Sequence, residues 1–552
     1  MAKALLQNLL NVRSAFHRRD LLRQGGWLTL AGSVSSSLGK AVSAPTSAPD
    51  HSKPDHSALY ESIGVRPIIN ARGTFTILTG SQSLPQVKDA MVQASRSYVQ
   101  MDELMKGVSQ KLADLTGAPW GIVTAGCCAA LTNFTAAVIA GTNPERMQRL
   151  PNLAGLKSEV IIPEYSRNVY DHAIRMLGVK IVEVKTPAEL EAAFNEKTAL
   201  IYIYAGPGDE GPLGTKAVSN MARPHNVPVI VDAAAEGLTI PNLHLARGAT
   251  AVAYSGGKCI RGPQAAGLLL GDKNLLEATW ANSAPHHAYG RSLKVGKEEI
   301  MGMLAAVEAW KTRDHEAEYR GWQAQLDYIA GQVTKVAGVT TQVEQPEGLS
   351  NRTPSLRIEW DATQLGITGQ EVSKLLMDAQ PRIALGGASG IRPDRMKSSV
   401  TVTPWMMMPG EDKIVASRLL SVLKDHPPFS NPPVPQGQLA SLAGQWSAKL
   451  TFARGSAEHT LVFEQQDDRL LGTHYGEYGS GDLTGSVTAN QVHFRSAQQI
   501  EGQRLFYEFA GTVEGDKMGG TLNMGEYGMS EWSAQRHQYE MPVGQAKPVK
   551  KA

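Results

Sequence analysis

The stretch "VIVDAAAEGL" (229–238) is followed by "AYSGGKCIRG" (253–262). The first is a run of β-branched apolar residues that ends on an acid, and it reads as a buried strand. The second reads as a strand running into a turn of small residues that holds one lysine. Burying a charge is costly unless something answers it. A chain that places Asp232 at a buried strand end, and Lys258 in a glycine turn 26 positions later (258 − 232), therefore needs an agent that uses both.

Similar strands surround this pair. "EVIIP" (159–163), "KIVEV" (180–184), "ALIYIY" (199–204), "PVIVDA" (228–233), "AVAYS" (251–255) and "AGLLLG" (266–271) are short apolar runs. Helical patterns such as "RNVYDHAIRMLG" (167–178) and "GTKAVSNMARPHN" (214–226) lie between most of them. Buried strands alternating with helices predict an α/β fold, with a mostly parallel sheet covered on both faces. "EEIMGMLAAVEAWKTRDHEAEYRGWQAQLDYIAGQV" (298–333) reads as one long helical connector. It leads to a smaller α+β domain with "SLRIEWD" (355–361), "ITGQEVSKLLMDAQ" (367–380) and "RIALGG" (382–387).

The chain has 552 residues, 42% hydrophobic and 19% charged, which is ordinary globular composition. With 54 basic and 52 acidic residues, there is no electrostatic case for a nucleic-acid partner. Its three cysteines, Cys127, Cys128 and Cys259, give neither a disulfide framework nor a zinc or other metal site.

The N-terminus reads as a targeting segment. Arg18 and Arg19 precede a weakly apolar, glycine-containing stretch, and "AVSA" (41–44) offers small residues for cleavage. This is the layout of a twin-arginine export signal. It predicts the twin-arginine translocase as a partner and a periplasmic location, or a cytoplasmic one if the leader does not function. The expected division is a leader over 1–44, a Pro/Ser-rich linker over 45–58, a large α/β domain over 59–310 and a small domain over 311–426. A Pro-rich linker follows over 427–440, then a β domain over 441–540 and a tail over 541–552. The β domain alternates at hairpin spacing and reads as an antiparallel barrel or meander. Its "GEYG", at 476–479 and 525–528, suggests two equivalent hairpins without an obvious catalytic set.

Pyridoxal 5'-phosphate gives the opening pair its use. An amine is nucleophilic only when unprotonated, and a glycine turn beside a buried cofactor holds it desolvated. Lys258 would form the Schiff base. Asp232 would pair with the pyridinium nitrogen and keep the ring an electron sink, while Ala233, Ala234 and Ala235 let the flat ring lie against the sheet. "TAGCCAALTNFTAAVIAG" (124–141) supplies the phosphate seat. Gly126, Cys127 and Cys128 open a helix whose free N–H groups bind anions, and Ser255 adds a hydroxyl.

These residues resemble the fold-type I pyridoxal phosphate enzymes, and more closely the selenocysteine synthase (L-seryl-tRNA(Sec) selenium transferase)-like group that includes D-glucosaminate-6-phosphate ammonia-lyase. "RPIINARGTFTILTGS" (66–81), "TAGCCAAL" (124–131), "VIVDAAAE" (229–236), "SGGKCIRGPQAAGLLLG" (255–271) and "GRSLKVGKEEIMGMLAAVE" (290–308) carry the resemblance, over roughly residues 60–425. It implies the aspartate aminotransferase-like fold and at least a homodimer in which a neighbouring subunit completes the site. It implies Arg72 near the substrate and Arg167 over the ring. Arg382 is a candidate for a substrate carboxylate, and Arg291 and Lys294 for a cofactor or substrate phosphate. The leader and the near-neutral charge depart from a tRNA-dependent enzyme, and the added β domain departs from the plain lyase pattern. The expected substrate is a small amino acid or amino-sugar acid. The expected reaction runs through a Cα carbanion to α,β-elimination, as in an ammonia-lyase or dehydratase, and gives a 2-oxo acid. Racemisation, aldol cleavage or selenium or sulfur transfer are the alternatives within the group. A non-catalytic protein that works through its β domain is the alternative outside it.

Overall fold

In the computed structural model, residues 57–393 and 395–538 are described. The leader, most of its linker and the tail therefore lie outside the described residues. Before Gly64 the described part holds a short helix, Ser57–Glu61.

From Gly64 onward the chain builds three sheets. The first strand, β1 (Ile68–Ala71), leaves for the small domain. The next seven are β2 (Trp120–Thr124), β3 (Glu159–Pro163), β4 (Lys180–Val184), β5 (Thr198–Tyr204), β6 (Val229–Asp232), β7 (Ala251–Ser255) and β8 (Gly267–Gly271). They form one sheet in the order β2-β8-β7-β6-β5-β3-β4. Only β8 runs antiparallel to its neighbours. The central strands are buried along their length, because helices cover both faces and water reaches neither.

The small domain's sheet has the order β1-β11-β12-β10-β9, with β9 (Thr340–Glu344), β10 (Ser355–Asp361), β11 (Arg382–Ile391) and β12 (Arg395–Val402). Two sequence expectations are corrected here. Residues 68–71 were assigned to the large domain, but β1 pairs in parallel with β11. Its apolar side chains Ile69 and Ala71 join the small domain's core. The connector predicted as one helix is two, Lys297–Thr312 and His315–Val333. The break falls where the Asp314 side chain accepts from Ala317 N and caps the second helix.

The C-terminal strands β13 (Gly444–Thr451), β14 (Ser456–Gln466), β15 (Arg469–Tyr475), β16 (Ser480–Thr488), β17 (Gln491–Ile500), β18 (Gln503–Glu514), β19 (Lys517–Asn523) and β20 (Met529–Arg536) form a closed antiparallel barrel. β20 closes on β13, so no sheet edge is left open. Its interior has its own core around Trp446, Phe494, Phe509 and Trp532. Among the described residues no helix is long and apolar enough to cross a membrane.

Candidate active site

The register of the large sheet brings the sequence motifs to one edge. Thr124 and Ser255 are both register partners of Gly267, and Tyr204 is the partner of Asp232. The ends of β2, β7 and β6 and the start of β8 therefore lie side by side, within about 15 Å at the usual strand spacing. This is the carboxyl edge of a parallel sheet, where open α/β folds bind ligands.

The helix Gly126–Ala140 starts at this edge. It has no side-chain cap, so its first N–H groups are free for a ligand. Gly126 has φ +83°, a left-handed conformation that favours glycine. Gly267 is held to glycine by contact: an added Cβ would sit 2.4 Å from Gly126 C and 2.7 Å from Cys127 N. The two glycines shape a cradle in which β8 backs directly onto the helix start.

Asp232 is 2% exposed. Its Oδ1 accepts from Ala234 N at 3.1 Å and from Cys127 Sγ at 3.4 Å, and its Oδ2 from the Tyr202 hydroxyl at 3.0 Å. Among the described residues no cation stands within ion-pair distance. Burial pushes its carboxyl up. The bonds from Ala234, Tyr202 and Cys127 and the charge of Lys258 pull the other way. Burial likewise raises the Cys127 thiol and the Tyr202 phenol well above their ordinary ranges, so both stay protonated and donate. Lys258 lies in the turn after β7, partly buried, with Nζ 5.8 Å from the centre of the Tyr170 ring. Its amine has no hydrogen bond or ion pair among the described residues.

A buried carboxylate without a counter-cation, a free amine beside it and an uncapped helix start fit pyridoxal phosphate. Asp232 would meet the pyridine nitrogen, Lys258 the aldehyde carbon, and the N–H groups at Gly126, Cys127 and Cys128 with the Ser255 hydroxyl the phosphate. Cys127 is buried beneath this seat and Cys128 is exposed at it.

The substrate-side residues are more scattered. Arg72 is exposed, its guanidinium 4.5 Å from the Phe75 ring, and it pairs with no carboxylate among the described residues. Arg291 and Lys294 are exposed on the loop after Gly290 and are likewise without ion pairs. Two candidates already have partners of their own. Asp171, Glu183 and Glu501 take the Arg167 guanidinium at 2.7, 3.2 and 2.8 Å. The aromatic beside Lys258 is Tyr170, three residues on. Arg382 starts β11 opposite Ile68, and its Nε donates to the Met377 carbonyl at 2.9 Å. That is the end of β1 away from Arg72.

Sequence reasoning missed Tyr202, Tyr170 and Asn168. Tyr202 had a signal, since it lies two residues before the register partner of Asp232 and on the same face. It also missed a cavity of about 480 Å³ on the small-domain side of the Lys258 turn. Cys259, Trp310, Trp322 and Trp405 wall it, with Arg261 and Arg352, neither of which pairs with a carboxylate among the described residues. Among the described residues, no group of His, Cys, Asp and Glu is arranged to hold a metal.

This edge, with its acid, amine and anion seat, defines the class: a pyridoxal phosphate enzyme of fold type I. No protein-family model matches the chain. A D-glucosaminate-6-phosphate ammonia lyase of Salmonella typhimurium (strain 14028s / SGSC 2262) is 30% identical over 381 residues, covering 66% of this chain and 97% of the relative. A 5'-C-glycyluridine monooxygenase-decarboxylase of Streptomyces sp is 27% identical over 399 residues, covering 67% and 93%. The solved structure of a D-glucosaminate-6-phosphate ammonia-lyase superposes with a TM-score of 0.59 at 28% identity, over 66% of this chain and 98% of that one. The chain belongs to the D-glucosaminate-6-phosphate ammonia-lyase family of enzymes, and its cofactor is pyridoxal 5'-phosphate. The relative is covered almost end to end, while a third of this chain extends beyond the match.

Proposed function

We propose that the protein is a lyase that acts on a hydroxylated amino acid or amino-sugar acid by α,β-elimination: the β-hydroxyl leaves as water, and the enamine that results takes up water and releases ammonia, leaving a 2-oxo acid. The observation that carries this reading is the pairing of a buried Asp232 that lacks a counter-cation with a free Lys258 amine at one sheet edge. The ammonia-lyase relative, matched over nearly its whole length, supports elimination over the other fates.

When bound, pyridoxal phosphate withdraws electrons from the Cα of the amine it carries. The protein's own groups then have definite tasks. Asp232 holds the pyridine nitrogen protonated, and Tyr202 and Cys127 keep its carboxylate aimed. The Lys258 Nζ takes the Cα proton and returns a proton to the departing β-hydroxyl. Tyr170 covers the amine and limits its contact with water. Arg72, with no carboxylate of its own, is the guanidinium for the substrate's acid group. Arg291 and Lys294 meet a phosphate where the substrate or a neighbouring subunit presents one.

The same proposal includes a homodimer or higher homo-oligomer, and export through the twin-arginine translocase to the periplasm. Arg18 and Arg19 in the sequence support export.

The test is an absorption spectrum before and after borohydride, followed by peptide mapping and a screen for 2-oxo acid release. A yellow protein that bleaches, labelled on Lys258 and releasing 2-oxo acid from hydroxyamino acids or amino-sugar acids, is expected. A label on another residue removes the site assignment. A correct label without 2-oxo acid release removes the elimination.

A further inference from the structure

An antiparallel barrel alternates its turns between two ends. Residues 452–455, 476–479, 501–502 and 524–528 form the turns at one end. Both "GEYG" sequences lie here, four strands apart. One turn of this end, Glu501–Gly502, is seated on the cofactor domain.

The seat is tight. An added Cβ at Gly502 would fall 2.0 Å from Asn168 O and 2.6 Å from Asp171 Oδ2, so only glycine permits the approach. Beside it, Glu501 Oε2 is 2.8 Å from Arg167 Nη2 and 4.0 Å from Arg175 Nε. Glu501 itself adopts φ +51°, strained for a residue with a side chain. Arg167 and Arg175 close on the two oxygens of Asp171, at 2.7 and 2.8 Å, and the Asp171 side chain is wholly buried.

The gripped segment leads to the cofactor site. Asn168 Oδ1 accepts from Tyr170 N at 2.7 Å, which sets the tyrosine beside Lys258. Asn168 Nδ2 donates to the Tyr202 hydroxyl at 3.0 Å, and that hydroxyl donates to Asp232 Oδ2 at 3.0 Å. A continuous path of contacts runs from Gly502 in the barrel to Asp232 under the ring.

We propose that the barrel is a working part of the active site: its Glu501–Gly502 turn holds Asn168 in place, and Asn168 holds the phenol that aims Asp232. This rests on the assignment of Asp232 and Lys258 to the cofactor. Glu501, Gly502 and Asn168 are positioning residues. They touch neither substrate nor cofactor, so their loss is felt in turnover and in the cofactor's electronic state more than in substrate affinity. The ion pair at half-exposed Glu501 is the weaker hold, because such pairs contribute little. The close approach at Gly502 is the stronger.

The experiment uses the full chain with its cofactor. Gly502→Ala is expected to lower kcat about tenfold and change KM less than about twofold, a coupling of the size seen between residues that share partners. It is also expected to shift the cofactor's visible band. Glu501→Gln should lower kcat about twofold and Glu501→Asp less, and Glu514→Gln, at the barrel's other end, should change nothing. The decisive measurement is the cycle with Tyr202→Phe. Once the phenol is gone, Gly502→Ala should cost less than about twofold more. If Gly502→Ala does not fold, the same cycle is run with Glu501→Lys, which sets a like charge against Arg167 and Arg175 and should lower kcat several-fold. Additive losses, or an unmoved band with kcat intact, overturn this inference and leave the cofactor site standing. A wild-type protein that binds no pyridoxal phosphate overturns both.

Discussion

Asp232 under the cofactor seat and His474 inside the barrel are both ionisable groups with almost no exposure, 2% and 0%. They are handled in opposite ways. His474 Nε2 meets His459 Nδ1 at 2.7 Å and its Nδ1 meets Ser496 Oγ at 2.6 Å. Both ring nitrogens are satisfied by neutral neighbours. Burial, with the neighbouring His459 adding to it, pushes the His474 imidazole down to about 3. It is simply neutral, and nothing further is asked of it. Asp232 has its hydrogen bonds but, among the described residues, no cation within ion-pair distance, and a free amine stands nearby. A buried polar group with every partner in place stabilises a fold. A buried charge left without its counterpart marks where a ligand belongs. The barrel interior is satisfied within itself, and the sheet edge is the candidate site.

The largest expected effect tests the site half of that contrast. Lys258→Ala removes the amine that, in the proposed reaction, binds the aldehyde and moves the proton. Activity should fall by about 10³-fold or more, within the range for loss of a general base, and borohydride should no longer fix pyridoxal to the chain. Residual activity within tenfold of wild type would move the chemistry elsewhere. Asp232→Asn is the sharper substitution, because it keeps the shape and removes the charge, at the cost of exchanging one acceptor oxygen for an amide donor. Turnover should fall about 100-fold, as for loss of a charge-assisted bond in a dry site. The cofactor-free protein should melt at the same or a higher temperature, since an uncompensated buried charge has been removed. A lower melting temperature would mean that Asp232 is structural, like His474.

Much of this contrast was legible in the sequence. The mostly parallel sheet showed as six short apolar runs, and the helix read as opening at Gly126 is found over Gly126–Ala140. Local composition sets such elements, because a strand buried on both faces has to be apolar throughout. The acid and the lysine showed because each breaks that rule at a strand end. What stayed hidden depends on contacts between distant residues. Nothing near Arg167 announces that Glu501, 334 positions away, will claim its guanidinium. The transfer of Ile68–Ala71 to the small domain is a pairing with β11, and no periodicity encodes a partner. The two barrel histidines alternate correctly as inward residues, but their neutrality follows from facing each other across β14 and β15.

The barrel half of the contrast makes a prediction in pH. Because the folded His474 sits at about 3 and an exposed histidine near 6.5, the unfolded chain binds more protons between those values. The barrel's stability is therefore complete above about pH 6.5 and declines as pH falls toward 3, by about 1.4 kcal/mol per unit from this group. Hydrogen exchange of the β15 and β17 amides at pH 7.5 and 5.5 should show the loss in wild type and a smaller one in His474→Gln. Equal losses in both would mean that the histidine is not buried neutral and that the barrel holds an unanswered charge too.

Cys127 gives the smallest effect and the finest test, since it lies between the two categories. Its thiol is buried at the cofactor seat and bonds to Asp232, yet burial and that carboxylate keep it protonated. A neutral thiol is a weak donor. It shares Asp232 with two better ones, Ala234 N and the Tyr202 hydroxyl. Cys127→Ala removes one weak bond from a helix start that tolerates alanine, and kcat should fall only about two- to threefold, in keeping with about 0.5 kcal/mol for a bond at the weak end of the range. Cys127→Ser restores a stronger donor at nearly the same place and should recover the loss. If Cys127→Ala instead costs about 100-fold while Tyr202→Phe costs little, the thiol and not the phenol aims Asp232. The path from the barrel through Asn168 would then end short of the site.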